Sequence, residues 1–370
     1  EPDITALAVL AEHEEGSAKE AAIAKLADIL DTKGRAEDCY SWTLALLKLQ
    51  VDQGNADLFD LAVERSENAE SLPDLLDTME TMLPTIEDPV GAGALALAMA
   101  KVYRIRLRDM ENASAILLKA LETTTDPLPI LLELEGTYLA TGNMRGLEKT
   151  LGRIAEEAFE QDLRREKLLT LARLHEDILG EPDKAVIDYR SVLELAPENS
   201  QAHQGLIRVL EKTKSWQELI DALDATLALA AVADGQRIVM LRIAMVADQH
   251  LTDSTLTTGW LERILHQWPT DPNGVAIARK LFDSGEQMEV LGDLLVQSYR
   301  KMESWRELVD ISIVLSGQDD DDDSRYRSLV DIVDLLLEKL DNPEEAFDLS
   351  LSALSIGGGS EELRNQTRGL

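Results

Sequence analysis

Residues 165–197 read REKLLTLARLHEDILGEPDKAVIDYRSVLELAP. Apolar residues recur at helical spacing as far as Leu179, and Gly180-Glu181-Pro182 then breaks the pattern. A second segment of similar length runs to Pro197, which has no amide N–H to continue a helix. The chain goes on with NSQAHQGLIRVLEKT, where Asn199 or Ser200 can act as N-cap, and then SWQELIDALDATLAL. Each segment is too short to be stable as an isolated helix, so the four must stabilise one another by packing.

The pattern repeats. Shifted forward by 72 residues, His175, Ala185 and Pro197 fall on Ala247, Thr257 and Pro269. Shifted back by 72, Ala172, His175 and Ala185 fall on Ala100, Tyr103 and Ala113. A forward shift of 161 carries Ala185 to Ala346. A second marker follows the same lattice: KSWQELID at 214–221 returns as ESWRELVD at 303–310. Gly54-Asn55, Gly142-Asn143, Lys214-Ser215 and Glu303-Ser304 are separated by 88, 72 and 89 residues. The excess over 72 matches one added helix with its turn, about 15 residues at about 1.5 Å each. SLPDLLDTMETML (71–83) and QMEVLGDLLVQSYRK (287–301) are the candidates.

The 165–197 unit resembles a tetratricopeptide repeat (TPR), a pair of antiparallel helices. Leu168, Leu171, Ala172 and His175 occupy the large, Leu, small, aromatic pattern of the family's first helix, as do Ala96, Met99, Ala100 and Tyr103 one block earlier. Ala185, Tyr189, Val192 and Pro197 fill the pattern of the second helix. Small residues belong where two helices cross closely and large ones where they fill a groove. The match is good over 90–229, loose over 230–285 and 325–356, and poor over 1–85. Thr257 and Thr258 weaken the second-helix signature, and Gly357-Gly358-Gly359 stands in place of a closing proline. The whole is similar to degenerate bacterial TPR proteins. The resemblance implies an all-α solenoid or superhelix of about 17 short antiparallel helices at about 1.5 Å per residue. It is expected as one continuous solenoid, with degenerate repeats at 1–89, the best repeats at 90–285 and degenerate repeats at 286–370. It also implies a concave face that binds peptides or proteins.

Composition agrees. Aromatics are only 4% of the chain against 45% hydrophobic residues, which favours close helix packing over a β core. The formal charge of −34 repels phosphate backbones and anionic lipid surfaces, while suiting a basic protein partner. No apolar run is long enough for a transmembrane helix. The single cysteine, Cys39, excludes an internal disulfide and reads as a small packing residue near a helix start. A disulfide-free chain fits the cytoplasm, and the periplasm remains open to a chain that has lost a signal peptide. The opening EPDITALAVL, without Met, and the close at TRGL suggest a fragment or processed form.

No catalytic constellation is present: no GxSxG, no phosphate loop, no GxGxxG and no HExxH. Catalytic residues, cofactors and metal ligands are therefore not expected. His175 sits at a packing position, and His250 and His266 lack further ligands for zinc. The five aspartates Asp319–Asp323 cannot converge on calcium and read as a solvated connection. Trp216 and Trp305 read as packing residues at equivalent helix starts. Basic residues are scarce, which makes KVYRIRLR and the cluster around Arg173 conspicuous. By the 72-residue shift Lys101 and Arg173 are equivalent, at a position that faces the groove in TPR proteins. Lys101, Arg104, Arg173, Glu176 and Asp177 are the partner-binding candidates. The expected function is a non-enzymatic interaction scaffold. The alternative is a regulatory or recruiting arm of a larger bacterial enzyme or envelope machine whose catalytic part lies elsewhere.

Overall fold

The computed structural model describes residues 2–230 and 232–357. Gly358, Gly359 and the closing TRGL lie outside the described residues. The chain divides into two compact units, Glu1–Gly205 and Leu206–Leu370. Among the described residues all regular structure is helical.

The first unit contains α1 (Pro2–His13), α2 (Gly16–Thr32), α3 (Ala36–Gln50), α4 (Ala56–Asn68), α5 (Leu72–Met82) and α6 (Pro89–Lys101). It continues with α7 (Met110–Ala120), α8 (Leu128–Thr141), α9 (Met144–Glu157), α10 (Gln161–Arg173) and α11 (Pro182–Leu195). The division between units falls inside α12 (Ser200–Thr213). The second unit contains α13 (Trp216–Leu227), α14 (Ala233–Val246), α15 (Ser254–Gln267), α16 (Pro272–Asp283) and α17 (Met288–Met302). It ends with α18 (Trp305–Gln318), α19 (Asp322–Glu338) and α20 (Pro343–Gly357). Twenty helices are thus described, against about 17 expected at about 1.5 Å per residue. The short helix–turn period of the central repeats persists through 2–85, where the residue signature is lost, so the signature undercounts the helices.

Within each unit helices pack on their sequence neighbours, and α4 with α6, α6 with α8, α14 with α16 and α15 with α17 also touch. This is the nearest-neighbour architecture of a helical-repeat solenoid. The small positions of the TPR-like pattern close the helix crossings: Ala100, Ala172, Ala113 and Ala185 in the first unit, and Thr257 and Ala346 in the second, have no exposed surface. Leu171, Tyr189 and Val192 are buried beside them. Asn199 caps α12, its side chain accepting from the Ala202 amide at 3.0 Å, and α11 ends before Pro197. These residues give the described part of the chain a TPR-like, all-α repeat architecture on its own geometry.

Two kinds of turn set the lattice. In the first, a left-handed residue reverses the chain at Gly142, Lys214 and Glu303. The next amide then donates back five residues: Asn143 to Tyr138 O (3.1 Å), Ser215 to Leu210 O (3.0 Å) and Ser304 to Tyr299 O (3.0 Å). These bonds satisfy carbonyls that a helix end leaves open. In the second, α6, α10 and α14 each continue into a π-helical turn, Val102–Leu107, Leu174–Leu179 and Ala247–Leu251. Each closes on a left-handed residue, Arg108, Gly180 or Thr252. The following amide reaches back six residues: Asp109 to Tyr103 O (2.8 Å), Glu181 to His175 O (2.9 Å) and Asp253 to Ala247 O (3.2 Å). Asn342 makes the same bond to Leu336 O at 3.0 Å.

The intervals of 88, 72 and 89 residues therefore enclose five, four and five helices, starting at α4, α9 and α13. The added helices are α5 and α17, at the two candidate segments. Two tyrosine hydroxyls fasten α5, Tyr40 donating to Asp74 at 2.8 Å and Tyr103 to Glu80 at 2.6 Å. Burial, aided by Glu80, pushes the Tyr103 hydroxyl up to about 12, so it stays protonated as a donor.

Trp216 and Trp305 open equivalent helices and are half-buried. Trp216 stacks on His250, with ring centroids 3.8 Å apart and planes 6° from parallel. Trp305 lies under the Lys339 ammonium, 5.4 Å from the ring centroid. His250 and Lys339 are themselves 89 residues apart, so one tryptophan pocket is used twice with different lids. The Asp319–Asp323 run is partly structural. Asp321 caps α19 by accepting from the Ser324 amide at 3.1 Å, and Asp322 and Asp323 lie in the first turn, where the helix dipole favours negative charge.

Candidate functional site

The predicted groove residues form two groups in the first unit. Lys101 ends α6 and Arg104 lies one turn further, in the π turn. Arg173 ends α10, and Glu176 and Asp177 lie in its π turn. Ion pairs join alternate helices along this face. Arg106 meets Glu67 of α4 at 2.9 Å, Arg104 meets Glu133 of α8 at 2.5 Å, and Lys167 of α10 meets Glu135 of α8 at 2.9 Å. Arg173 donates to the neutral Gln201 side chain of α12 at 3.0 Å. Among the described residues neither Lys101 nor Arg173 has a carboxylate partner. Glu176 is turned inward, 7% exposed, and accepts from the Tyr189 hydroxyl at 2.7 Å. Asp177 is exposed.

Lys101 borders a cleft of about 460 Å³ between α4 and α6, shared with Asp60, Val63, Glu64, Ile105 and Arg106. Ile105 is 55% exposed beside it. A second cleft of about 520 Å³ separates α10 from α12 and is lined by Leu163, Arg165, Leu169 and Gln201 together with the acidic Glu160, Asp162 and Glu166. Both are open troughs between alternate helices, a shape that suits an extended segment.

A denser polar cluster lies where α9, the α10 π turn and α11 meet. His175 is 4% exposed. Its Nδ1 stands 2.5 Å from Asp188 Oδ2 and its Nε2 3.1 Å from Glu148 Oε1. Lys184 Nζ bridges Glu148 Oε1 at 2.7 Å and Glu181 Oε2 at 2.8 Å. Arg145 bridges the same two carboxylates at 2.8 and 2.6 Å. Glu148 is held down at about 2, chiefly by the Lys184 hydrogen bond, with Arg145 and His175 adding and burial opposing. Asp188 is pushed up by burial against the pull of His175.

A carboxyl depressed by folding contributes stability above its unfolded value, and that contribution is lost as pH falls toward the folded value. Glu148 should therefore weaken the fold between about pH 4.5 and about 2. In Glu148→Gln the melting temperature should fall less steeply with pH across that window. An acid limb identical to the wild type's would show that Glu148 is not coupled to folding.

The sequence marks His175 as a buried packing residue and does not reveal its carboxylate partners. A signal does exist in the repeat. At the position of Glu148 the later repeats carry Ile220 and Val309, and at that of Asp188 they carry Trp260 and Leu349, with Ile116 in the earlier one. At the position of His175 they carry Tyr103, Ala247 and Leu336. By the 88-residue step Asp60 stands at the position of Glu148 in the first block, so it is the positions of His175 and Asp188, uncharged in the other repeats, that turn polar beside Glu148 in this one.

No family model matches the sequence, and no curated protein matches it. Among solved structures, the chain is similar to YrrB, described as a TPR protein with an unusual peptide-binding site. The identity is 15%, over 51% of this chain and 92% of that one, with a TM-score of 0.30. It is also similar to a tetratricopeptide repeat protein from Parabacteroides merdae ATCC 43184, at 14% identity over 74% of this chain and 96% of that one, TM-score 0.30. A third is a structure of Naa15/Naa10 bound to HypK-THB, at 11% identity over 99% of this chain and 65% of that one, TM-score 0.37.

Proposed function

We propose that this chain is a non-enzymatic protein–protein interaction scaffold that seats an extended segment of a partner in the troughs between alternate helices of the first unit. One observation carries this reading. In a chain with a formal charge of −34, Arg104, Arg106 and Lys167 are committed to carboxylates, whereas Lys101 and Arg173, one repeat apart, are not. A side-chain or terminal carboxylate of the partner would complete them with charge-assisted hydrogen bonds. Exposed Ile105 supplies apolar contact beside Lys101. The acidic remainder of the surface favours a partner that is basic outside the seated segment, with an association rate that falls as salt rises. The troughs are largely preformed, so little of the binding energy is lost to ordering the scaffold.

Cross-linking in the cells that make the protein, read by mass spectrometry, should place partner peptides near Lys101 and Arg173. Lys101→Glu with Arg173→Glu should reduce recovery of that partner at least about tenfold, as loss of a buried charged contact does. Unchanged recovery by the folded double variant would refute this groove.

A further inference from the structure

We propose that the cluster of Glu148, His175 and Glu181 is a binding site for a divalent transition cation of the zinc class, taken up in exchange for the ammonium of Lys184. The ligand atoms are already close together. His175 Nε2 is 3.1 Å from Glu148 Oε1 and 3.9 Å from Glu181 Oε2, and the three groups converge within 4.8 Å. Metal–ligand bonds of about 2.0–2.2 Å in a tetrahedral shell put neighbouring donors about 3.3–3.5 Å apart, so small side-chain movements suffice.

The supporting shell is in place. Asp188 sits 2.5 Å from His175 Nδ1, where it can accept the Nδ1–H hydrogen bond and so aim the Nε2 lone pair at the two glutamates. Glu181 supplies an independent observation. It opens α11 at the position where Asp109 and Asp253 open their own helices, 72 residues away on either side. Those aspartates cap, accepting from the Asn112 amide at 3.1 Å and the Leu256 amide at 2.9 Å. The Glu181 side chain makes no capping bond and turns toward His175 instead. Its Oε2 is shielded from solvent and accepts no well-aligned hydrogen bond, although Lys184 Nζ stands 2.8 Å away. Arg145 remains on the far side of both carboxylates and limits the affinity.

Uptake is a ligand exchange without electron transfer. The cation takes the Nε2 lone pair and one oxygen from each glutamate. The Lys184 side chain, 50% exposed, carries its ammonium out to water, and any proton on Nε2 is released to the solvent as the metal binds. Imidazole with two carboxylates selects zinc, cobalt or nickel over magnesium and calcium.

Cobalt(II) titration of the full chain, followed by its visible absorption, tests the site. The wild type should give a saturable band of tetrahedral intensity at one ion per chain, displaced by zinc. His175→Asn and Glu181→Gln, which remove ligands, should each weaken binding by more than the ~10–100-fold that loss of a ligand's hydrogen-bond partner costs. Lys184→Met, which removes the competing ammonium, should tighten it at least about tenfold relative to wild type, within the same range. Circular dichroism confirms folding, and Glu181→Gln, at a half-exposed position without a capping role, serves if His175→Asn does not fold. No saturable band in the wild type overturns the proposal. So does a band that Glu181→Gln leaves unchanged, which is adventitious binding to the acidic surface, or one that Lys184→Met does not strengthen.

Discussion

Gly205→Ala should destabilise the first unit by about 2–3 kcal/mol, whereas Gly152→Ala, also within a helix, should stabilise it by about 0.5–1 kcal/mol. A methyl at Gly205 would lie 2.2 Å from Cζ and 2.4 Å from Cε1 of Tyr189, well inside contact distance. The ring has no room to retreat, being 1% exposed and held by its hydroxyl bond to Glu176 at 2.7 Å. The start of α12 around Gly205 must therefore move off Tyr189. The better helix propensity of alanine returns only about 1 kcal/mol of this loss. At Gly152 an added methyl meets no atom within 4 Å, so the propensity gain stands alone. Thermal melts of the two variants, with hydrogen exchange across 182–213 to localise the effect, decide the matter. Equal stability of the two would show that the α11–α12 crossing is not tightly packed.

The second large effect concerns the His175 cluster, measured with a chelator present. His175→Ala should cost about 3–5 kcal/mol, because Asp188 and Glu148 would remain partly buried without the group that lies between them. Replacing all three with residues of the neighbouring repeats, as Glu148→Ile, His175→Tyr and Asp188→Ile, should leave stability within about 1 kcal/mol of wild type or raise it. Buried ionic groups seldom outperform a well-packed apolar set, since desolvation offsets their attraction. If the triple variant were as unstable as the single one, the cluster would be required for folding, and its place in a single repeat would need another cause. If it is stable, the chain keeps a polar cluster that the fold does not need, as expected of a binding site.

Much of the architecture was legible in the residues. The spacing of Gly142, Lys214 and Glu303 fixed equivalent turns, because a left-handed reversal with its five-residue back bond has a fixed length. The 88, 72 and 89 intervals placed α5 and α17 as added helices, and Ala172 and Ala185 marked the close crossings. The π turns were not legible, since π and α segments share composition and differ only in which carbonyl each amide selects. Nor was the inward turn of Glu176, which follows from the Tyr189 hydroxyl lying within reach.

For the site, the sequence supplied scarce cations and the equivalence of Lys101 with Arg173. It did not show that Arg104, Arg106 and Lys167 are neutralised by glutamates 29, 39 and 32 residues away, while Lys101 and Arg173 have no carboxylate partner among the described residues. The His175 cluster is a plainer case. Glu148, His175 and Asp188 come from three helical segments separated by 27 and 13 residues, and no local motif records their meeting. By itself the sequence determined the repeat lattice and the small-residue crossings, because these depend on periodicity and volume within a repeat. Only the tertiary structure decided which charges pair and which polar atoms share a buried space, because hydrogen bonds and coordination act over about 3 Å and are set by packing between segments.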